Sequence, residues 1–408
     1  VFNGTNFDYS EWPIVENVYN SRAVDAEDLV SNYESFSNFN TSIFRGEDFT
    51  QIELNKVNFA NQDLEDEYLS YGTFNDLDFS KSNLTWTHLN RSSFENANFT
   101  EANLSYADLD VRSNFDNANF TEANLFYADL AYGSSFGNAN FTDANLAYAN
   151  LRGLSYGGES IHFQSANFTR AKIKSDDFSY GNYENAIFTN ANLDVSGRYV
   201  NFDNADFTGA DLRGTAITNG DFENADFTSA DLTNVYLNYA DGDSAKFIDA
   251  DLSTAYLAYG DFENAIFTGT DLTGVKLNNS DLTGADFTGA NLTDANLKSS
   301  DFSSVDFTDA NLTNADFTNA EGLANAVFTG ANIFGATFND DFQPSGTVYL
   351  SPEEVKAAEE AAAKLAAAEA AKQAELEAAK QAADAAVESK ETVWVEATSG
   401  DYVTEGDY

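Results

Sequence analysis

A large apolar residue returns every fifth position through most of this chain. From Phe44 it recurs at 49, 54, 59, 64, 69 and 74, and so on to Leu109. The beat slips by one to Phe115, Phe120, Leu125 and Leu130, and slips again to Phe136, Phe141, Leu146 and Leu151. After an irregular stretch, Leu154 to Ile161, it resumes at Phe163. From Phe202 it keeps one phase to Phe317, broken only at Gly242, and a last slip leads to Leu323, Phe328, Ile333 and Phe338. A period of five fits neither a helix at 3.6 nor a strand at 2. It fits a chain that turns a corner once per repeat, so that four repeats close one square coil. The large residue (position i) and the small residue at i−2, usually Ala, then point inward. The Asp or Asn at i−1 and the residues at i+1 and i+2 point outward.

Longer copies sit on top of the beat. FENADFTSADL at Phe222 has near-copies at Phe202, Phe262 and Phe302, 20 residues or a multiple of 20 apart. Such an internal period decides the architecture before any local propensity does. Coils stacked as in a sheet repeat at ~4.8 Å, so about 15 coils give a length of ~70 Å. Phe stacks on Phe and Leu on Leu, coil after coil. Where copies lie 21 apart (Phe94, Phe115, Phe136), one extra residue at the same corner reads as a bulge that leaves the other faces in register.

The pattern, roughly Ala-Asp/Asn-Leu/Phe-x-x over residues 44–338, resembles the pentapeptide-repeat family. The resemblance implies an all-β solenoid, a right-handed quadrilateral β-helix. It also implies a protein that works through its surface, since solenoids of this kind bind partners rather than catalyse. Some members imitate duplex DNA and inhibit type II topoisomerases.

Outside the beat, residues 1–43 are expected to cap the first coil, because an open solenoid end exposes strand edges. Residues 339–350, with Pro344 and Gly346, read as a linker. Ser351-Pro352-Glu353-Glu354 then has the form of a helix start: an N-cap Ser, Pro at the first position and acids in the first turn. The Ala/Glu/Lys run that follows predicts an α-helix over 351–390, ~57 Å long. Its larger apolar residues, Val355, Leu365, Leu376 and Val387, come 10 or 11 apart and form one nearly straight seam. In the acidic tail, 391–408, Thr392-Val393-Trp394-Val395-Glu396 alternates as a single strand, suited to pairing with another chain.

The formal net charge is −47, which argues against direct nucleic-acid binding, since phosphate contacts need Lys and Arg. It suits divalent cations or a basic partner. Without cysteine there are no disulfides and no thiolate metal sites. No stretch approaches the ~18 apolar residues of a membrane span. The first residue, Val1, reads as the start of a processed chain. No phosphate loop, nucleophile elbow or metalloprotease signature is present. The two histidines, His88 and His162, lie far apart, so no enzyme is expected.

Three outward arrays carry the candidate sites. Asp221, Asp241, Asp261, Asp281 and Asp301 form one column, and Asp211, Asp231, Asp251 and Asp271 another. Either these are turn residues bonded to corner amides, or divalent cations, calcium foremost, bridge the column. Trp86, Tyr106, Tyr127 and Tyr148 occupy i+2 on successive coils, as do Tyr239 and Tyr259. They either stack for their own sake or form a docking strip. Asn83, Asn98, Asn119, Asn140 and Asn167 begin Asn-x-Ser/Thr triplets. These are glycan acceptors in a secreted eukaryotic protein, or simply what the repeat writes at i−1, i and i+1. With Leu365, Leu376, Val393, Trp394 and Val395 as further interface residues, the function expected is structural. The chain would be an acidic rod that self-associates through its C-terminal segment into an extracellular or surface assembly. The alternatives are a DNA-mimicking topoisomerase inhibitor, or a scaffold for another protein.

Overall fold

The computed structural model describes residues 59–153, 161–175, 177–340 and 342–348, and isolated positions from 350 to 364. The chain divides into two compact units, Val1–Val348 and Tyr349–Tyr408. In the first, the pentad at Phe227 shows how each repeat is made. Asp226 bridges Asp206 and Lys246 in parallel. Phe227 buries its ring, and its N–H donates to the Lys246 carbonyl at 2.6 Å. The Ala230 N–H then donates back to the Phe227 carbonyl at 3.0 Å. Ser229, third in that turn, has φ 58°. This is a type II β-turn, which requires a positive φ at its third residue. One bridge and one turn consume five residues, and the turn is the corner that the period demanded.

Four columns of inward residues result, here named faces I to IV in chain order. Face I holds Leu64, Leu84 and Leu104, and face II holds Leu69, Leu89 and Leu109. Face III holds Phe74, Phe94 and Phe115, and face IV holds Phe79, Phe99 and Phe120. On face IV the rings stack nearly parallel, as between Phe207 and Phe227 (4.7 Å) and between Phe227 and Phe247 (4.9 Å). Burial of each ring stabilises by ~1.5–3 kcal/mol, and stacking adds about 0.5–1.5 kcal/mol.

The bulges lie where the 21-residue spacing put them, at the corner between faces II and III. There two consecutive residues take positive φ, Val111 and Arg112 in one coil and Tyr132 and Gly133 in the next. The bridges Asn98↔Asn119↔Asn140 on face IV and Asn103↔Asn124↔Asn145 on face I keep their register.

Two features depart from the even beat. Four short parallel strands, β1 (Asn145–Ala147), β2 (Lys172–Ser175), β3 (Asn192–Arg198) and β4 (Ala216–Thr218), form one sheet in chain order. β3 runs extended through the corner between faces I and II, one residue short, and puts Gly197 where face II expects a large side chain. A Cβ there would lie 3.0 Å from the Phe178 backbone. At Gly242, the gap in face III, a Cβ would lie 2.6 Å from the Phe262 ring. Phe262 has moved into the vacancy.

The linker expected at 339–350 is corrected. Val348 bridges Asn332, the Ile333 N–H donates to the Val348 carbonyl at 3.1 Å, and the Gly330 N–H to the Gly346 carbonyl at 2.8 Å. Phe342 packs on Phe328 and Phe338 with centroids at 5.8 and 5.6 Å. This segment completes the last coil and covers its core, because backbone pairing does not need the five-residue beat. In the second unit, Ser351 and Glu354 form a reciprocal capping box. The Ser351 N–H donates to Glu354 Oε2 at 2.9 Å, and the Glu354 N–H donates to Ser351 Oγ at 3.4 Å. Positions 353, 354, 356, 357 and 364 are helical. The expected N-terminal cap (1–43), the repeats at 44–58, most of the helix to 390 and the strand in 391–408 lie outside the described residues. So do Leu365, Leu376, Val393, Trp394 and Val395.

Candidate binding faces

Outward chemistry is sorted by face. On face III the column Asp221, Asp241, Asp261, Asp281, Asp301 forms as spaced, each residue bridging the next. Every one of these carboxylates accepts the N–H two residues on, from Glu223 (3.5 Å), Asp243 (3.2 Å), Glu263 (3.2 Å), Thr283 (2.9 Å) and Ser303 (2.8 Å). A second acidic column runs beside it at i+1: Glu184, Asp203, Glu223, Asp243, Glu263. Between Asn182 and Ser303 no Lys or Arg stands on this face at i−1, i or i+1. Burial pushes Asp203 up to about 7, helped by its hydrogen bond with Asp221 and by the charges of Asp221, Glu223 and Glu184. Asp241 is also raised, by burial first and then by Asp221, Asp261 and Asp243. Among the described residues, no three acidic or histidine side chains converge as metal ligands.

The asparagines of the Asn-x-Thr triplets are half-buried members of a ladder. Asn119 Oδ1 accepts the Thr121 N–H at 3.1 Å, and its Nδ2 donates to Thr100 Oγ1 at 3.0 Å. Asn140 repeats this with Thr142 and Thr121. Asn83 and Asn98 donate Nδ2 to Asp63 and Asp78 one coil before, both at 2.9 Å. Asn167 accepts from the Thr169 N–H at 2.9 Å. The nitrogen that a glycan would take is thus a donor in the ladder at Asn83, Asn98, Asn119 and Asn140.

At the corner between faces I and II, Trp86, Tyr106, Tyr127 and Tyr148 stack at 4.4, 5.4 and 5.0 Å. All four have φ near 60°, and Trp86 and Tyr127 are 53% and 48% exposed. Ring faces cover one another, so the ladder turns its edges outward. A second exposed group lies on face II, where Tyr236 stacks on Tyr256 (4.5 Å) and Tyr239 on Tyr259 (5.1 Å). The first of these pairs escaped sequence reading although its 20-residue spacing signals it.

An acidic network on face II was also missed. Asp110 sits in the first bulge beside Asp108 and is pushed up to about 8, by burial first, then by its hydrogen bond with Asp108 and the charges of Asp108 and Asp129. Asp108 Oδ2 accepts from Asn90 at 2.6 Å and lies 3.5 Å from His88 Nδ1. His88 stacks on Tyr68 at 4.4 Å. His162 belongs to face III, so the two histidines do not share a site. No helix among the described residues is long and apolar enough to cross a membrane.

The family model for pentapeptide repeats matches repeatedly, over residues 78–110, 131–154, 177–215, 198–224, 205–241, 245–284 and 280–319. No curated protein sequence matches the chain. Among solved structures it is similar to QnrB1, a plasmid-mediated fluoroquinolone resistance protein, with 20% identity over 43% of this chain and 89% of that one and a TM-score of 0.33. It is also similar to HetL, involved in heterocyst differentiation regulation in the cyanobacterium Nostoc, with 22% identity over 68% and 91% of the two chains and a TM-score of 0.20. A pentapeptide repeat protein of the Arabidopsis thaliana thylakoid lumen is 26% identical over 27% and 66%, with a TM-score of 0.18. With its repeats matched by the family model and closed into four-sided coils, the chain belongs to the pentapeptide repeat family.

Proposed function

We propose that this protein works through its surface and not by chemistry, as a solenoid that binds protein and joins copies of itself through residues 351–408 into an extracellular or cell-surface assembly. The observation that carries the surface reading is the segregation of its faces. Between Asn182 and Ser303 carboxylates collect on face III with no Lys or Arg among them, and exposed aromatics collect at the corners of face II. A catalytic site would instead bring an acid, a base and a nucleophile to one point. The joining role is supported by the capping box at Ser351 and Glu354, which starts a helix just after the last coil closes. Light scattering of the full chain over a concentration series is expected to show discrete multimers. A monomer at every concentration would overturn the joining role.

The acidic strip on face III favours a second reading, competition with DNA for a type II topoisomerase. Two columns of carboxylates at a rise of ~4.8 Å offer a regular anionic surface. A supercoiling assay separates the two readings: inhibition at near-equal stoichiometry favours the competitor, and unchanged supercoiling removes it.

A further inference from the structure

At the corner between faces II and III, two successive coils set an aromatic ring beside a carboxylate. Tyr239 and Tyr259 stand there with φ 61° and 62°, are 55% and 52% exposed, and stack on each other at 5.1 Å. Two residues on, Asp241 and Asp261 begin face III, both exposed. One oxygen of each accepts a turn N–H, from Asp243 and Glu263. The other oxygen takes no hydrogen bond or ion pair among the described residues. Asp221 and Asp281 continue the column on either side. An earlier coil shows what such a corner recognises. Tyr71 occupies the equivalent place, and Arg91, one coil on, holds its guanidinium 5.5 Å from the Tyr71 ring centre. At the other aromatic corner Lys174 approaches Tyr148 in the same way, at 5.8 Å. The pair at 239 and 259 differs. The coil before it carries Asn219 at the corner and the coil after it Asn279, both short and exposed. Its outer ring faces therefore receive no cation from this chain among the described residues.

We propose that this corner docks an arginine-bearing extended segment of another protein. Charge complementarity selects the occupant. Face III carries no Lys or Arg at i−1, i or i+1 between Asn182 and Ser303, so the partner brings the charge that its carboxylates lack. A guanidinium is planar, lies flat on a Tyr ring and forks onto a carboxylate at the same time. An ammonium is a point charge without that flat face. Each end of the pair supplies both halves of the match: Tyr259 with Asp261 and Asp281, and Tyr239 with Asp221 and Asp241. Asp241 is held above its ordinary range, by burial first and then by Asp221, Asp261 and Asp243, and a docked cation relieves that crowding. A nucleic acid would be repelled by the same carboxylates. On face II the patch ends at Lys276, which bridges Tyr256, so the segment follows the corner and face III. With rings stacked at 5.1 Å and ~3.5 Å of contact on each outer face, two guanidiniums sit about 12 Å apart. Four extended residues span ~13 Å, so the arginines come four apart. The proposal rests on the reading that the protein binds protein through its surface, and it is independent of the joining role assigned to residues 351–408.

Fluorescence anisotropy of the full chain tests this, with a dye-labelled Gly/Ser peptide carrying two arginines four apart and the same peptide carrying two lysines. The arginine peptide should bind the tighter. Tyr259→Ala and Asp261→Asn should each weaken it about three- to tenfold. Asn279→Arg sets an arginine over Tyr259 as Arg91 sits over Tyr71, and should weaken the peptide as much by filling the site from within. Asp249→Asn removes the same charge from an exposed position at the corner between faces IV and I and should leave binding unchanged. The melting temperature of each variant confirms that it folds. Two peptides that bind alike, or Asp249→Asn as harmful as Asp261→Asn, would mean attraction by net charge alone. The proposal then falls and the surface reading stands. Binding lost from Trp86→Ala but kept by Tyr259→Ala would also overturn it, by moving the contact to the other aromatic corner. No binding at millimolar peptide would overturn it too, while multimers in light scattering would still support the joining role.

Discussion

At the residue scale, a single pentad separates positions that hold the fold from positions that decorate it. Phe227 is fully buried between Phe207 and Phe247. Phe227→Ala leaves a ring-sized hole and should cost ~3–5 kcal/mol. Thr228→Ala loses only the hydroxyl bond to Asp226 Oδ1 at 2.5 Å, while the N–H bond to the same oxygen stays. It should cost about 0.5–1 kcal/mol. Equal shifts of the two in urea melts would show the inward register to be wrong. A different kind of residue governs the response to pH. Asp110, at about 8 in the folded chain against 3.8 ordinarily, holds a proton that the unfolded chain has lost through the range between. Raising pH from about 4 to 8 therefore removes stability, and above 8 the penalty is complete. Asp110→Asn keeps the neutral form throughout. It should melt with the parent at pH 3, lose less between pH 5 and 8, and stand above the parent at pH 9. Parallel melting curves at all three values would mean that Asp110 carries no displaced proton.

At the scale of the column, neighbours in adjacent coils decide what a position tolerates. Gly242 stands where the repeat calls for Phe, and consensus logic recommends Gly242→Phe. The Phe262 ring already fills that space, so the substitution should destabilise by ~1–3 kcal/mol through overpacking. A higher melting temperature would show that Phe262 can swing back. The acidic column obeys a similar local rule. Each Asp from 221 to 301 gives one oxygen to a turn N–H, whereas calcium takes 6–8 oxygens from converging groups. Calcium and magnesium at equal concentration should raise the melting temperature equally, by relieving repulsion in a chain of charge −47. A gain specific to calcium and reversed by chelation would establish a site. These cases mark what the sequence can and cannot disclose. The beat reports inward residues, so Phe227, the Leu and Phe columns and the bulges at 109–115 and 130–136 are legible. Outward neighbours depend on which coil stacks on which. Tyr236 beside Tyr256 is found only by counting 20, and Asp110 beside Asp108 only by knowing what the bulge does to its corner. Val348 pairs with Asn332 through backbone alone, and no apolar beat announces that.

At the scale of the whole molecule, the joining role proposed for residues 351–408 is tested by where the chain is ended. The first unit ends at Val348, two residues beyond Gly346, and its last bridge uses Val348 itself. Ending the chain after Gly346 would strip that bridge and uncover backbone groups of the final coil, an artefact that could itself drive aggregation. Ending it after Val348 keeps Phe342 on Phe328 and Phe338 and removes Ser351 with everything that follows. The shortened chain should unfold at nearly the parent's temperature and lose higher multimers in light scattering. Trp394→Ala in the full chain should reproduce the loss of multimers without the truncation. Should the shortened chain build multimers as the parent does, residues 351–408 do not join copies and the assembly reading falls. Should multimers vanish from Trp86→Ala while the shortened chain keeps them, the corner between faces I and II is the joining surface, and the solenoid assembles side by side.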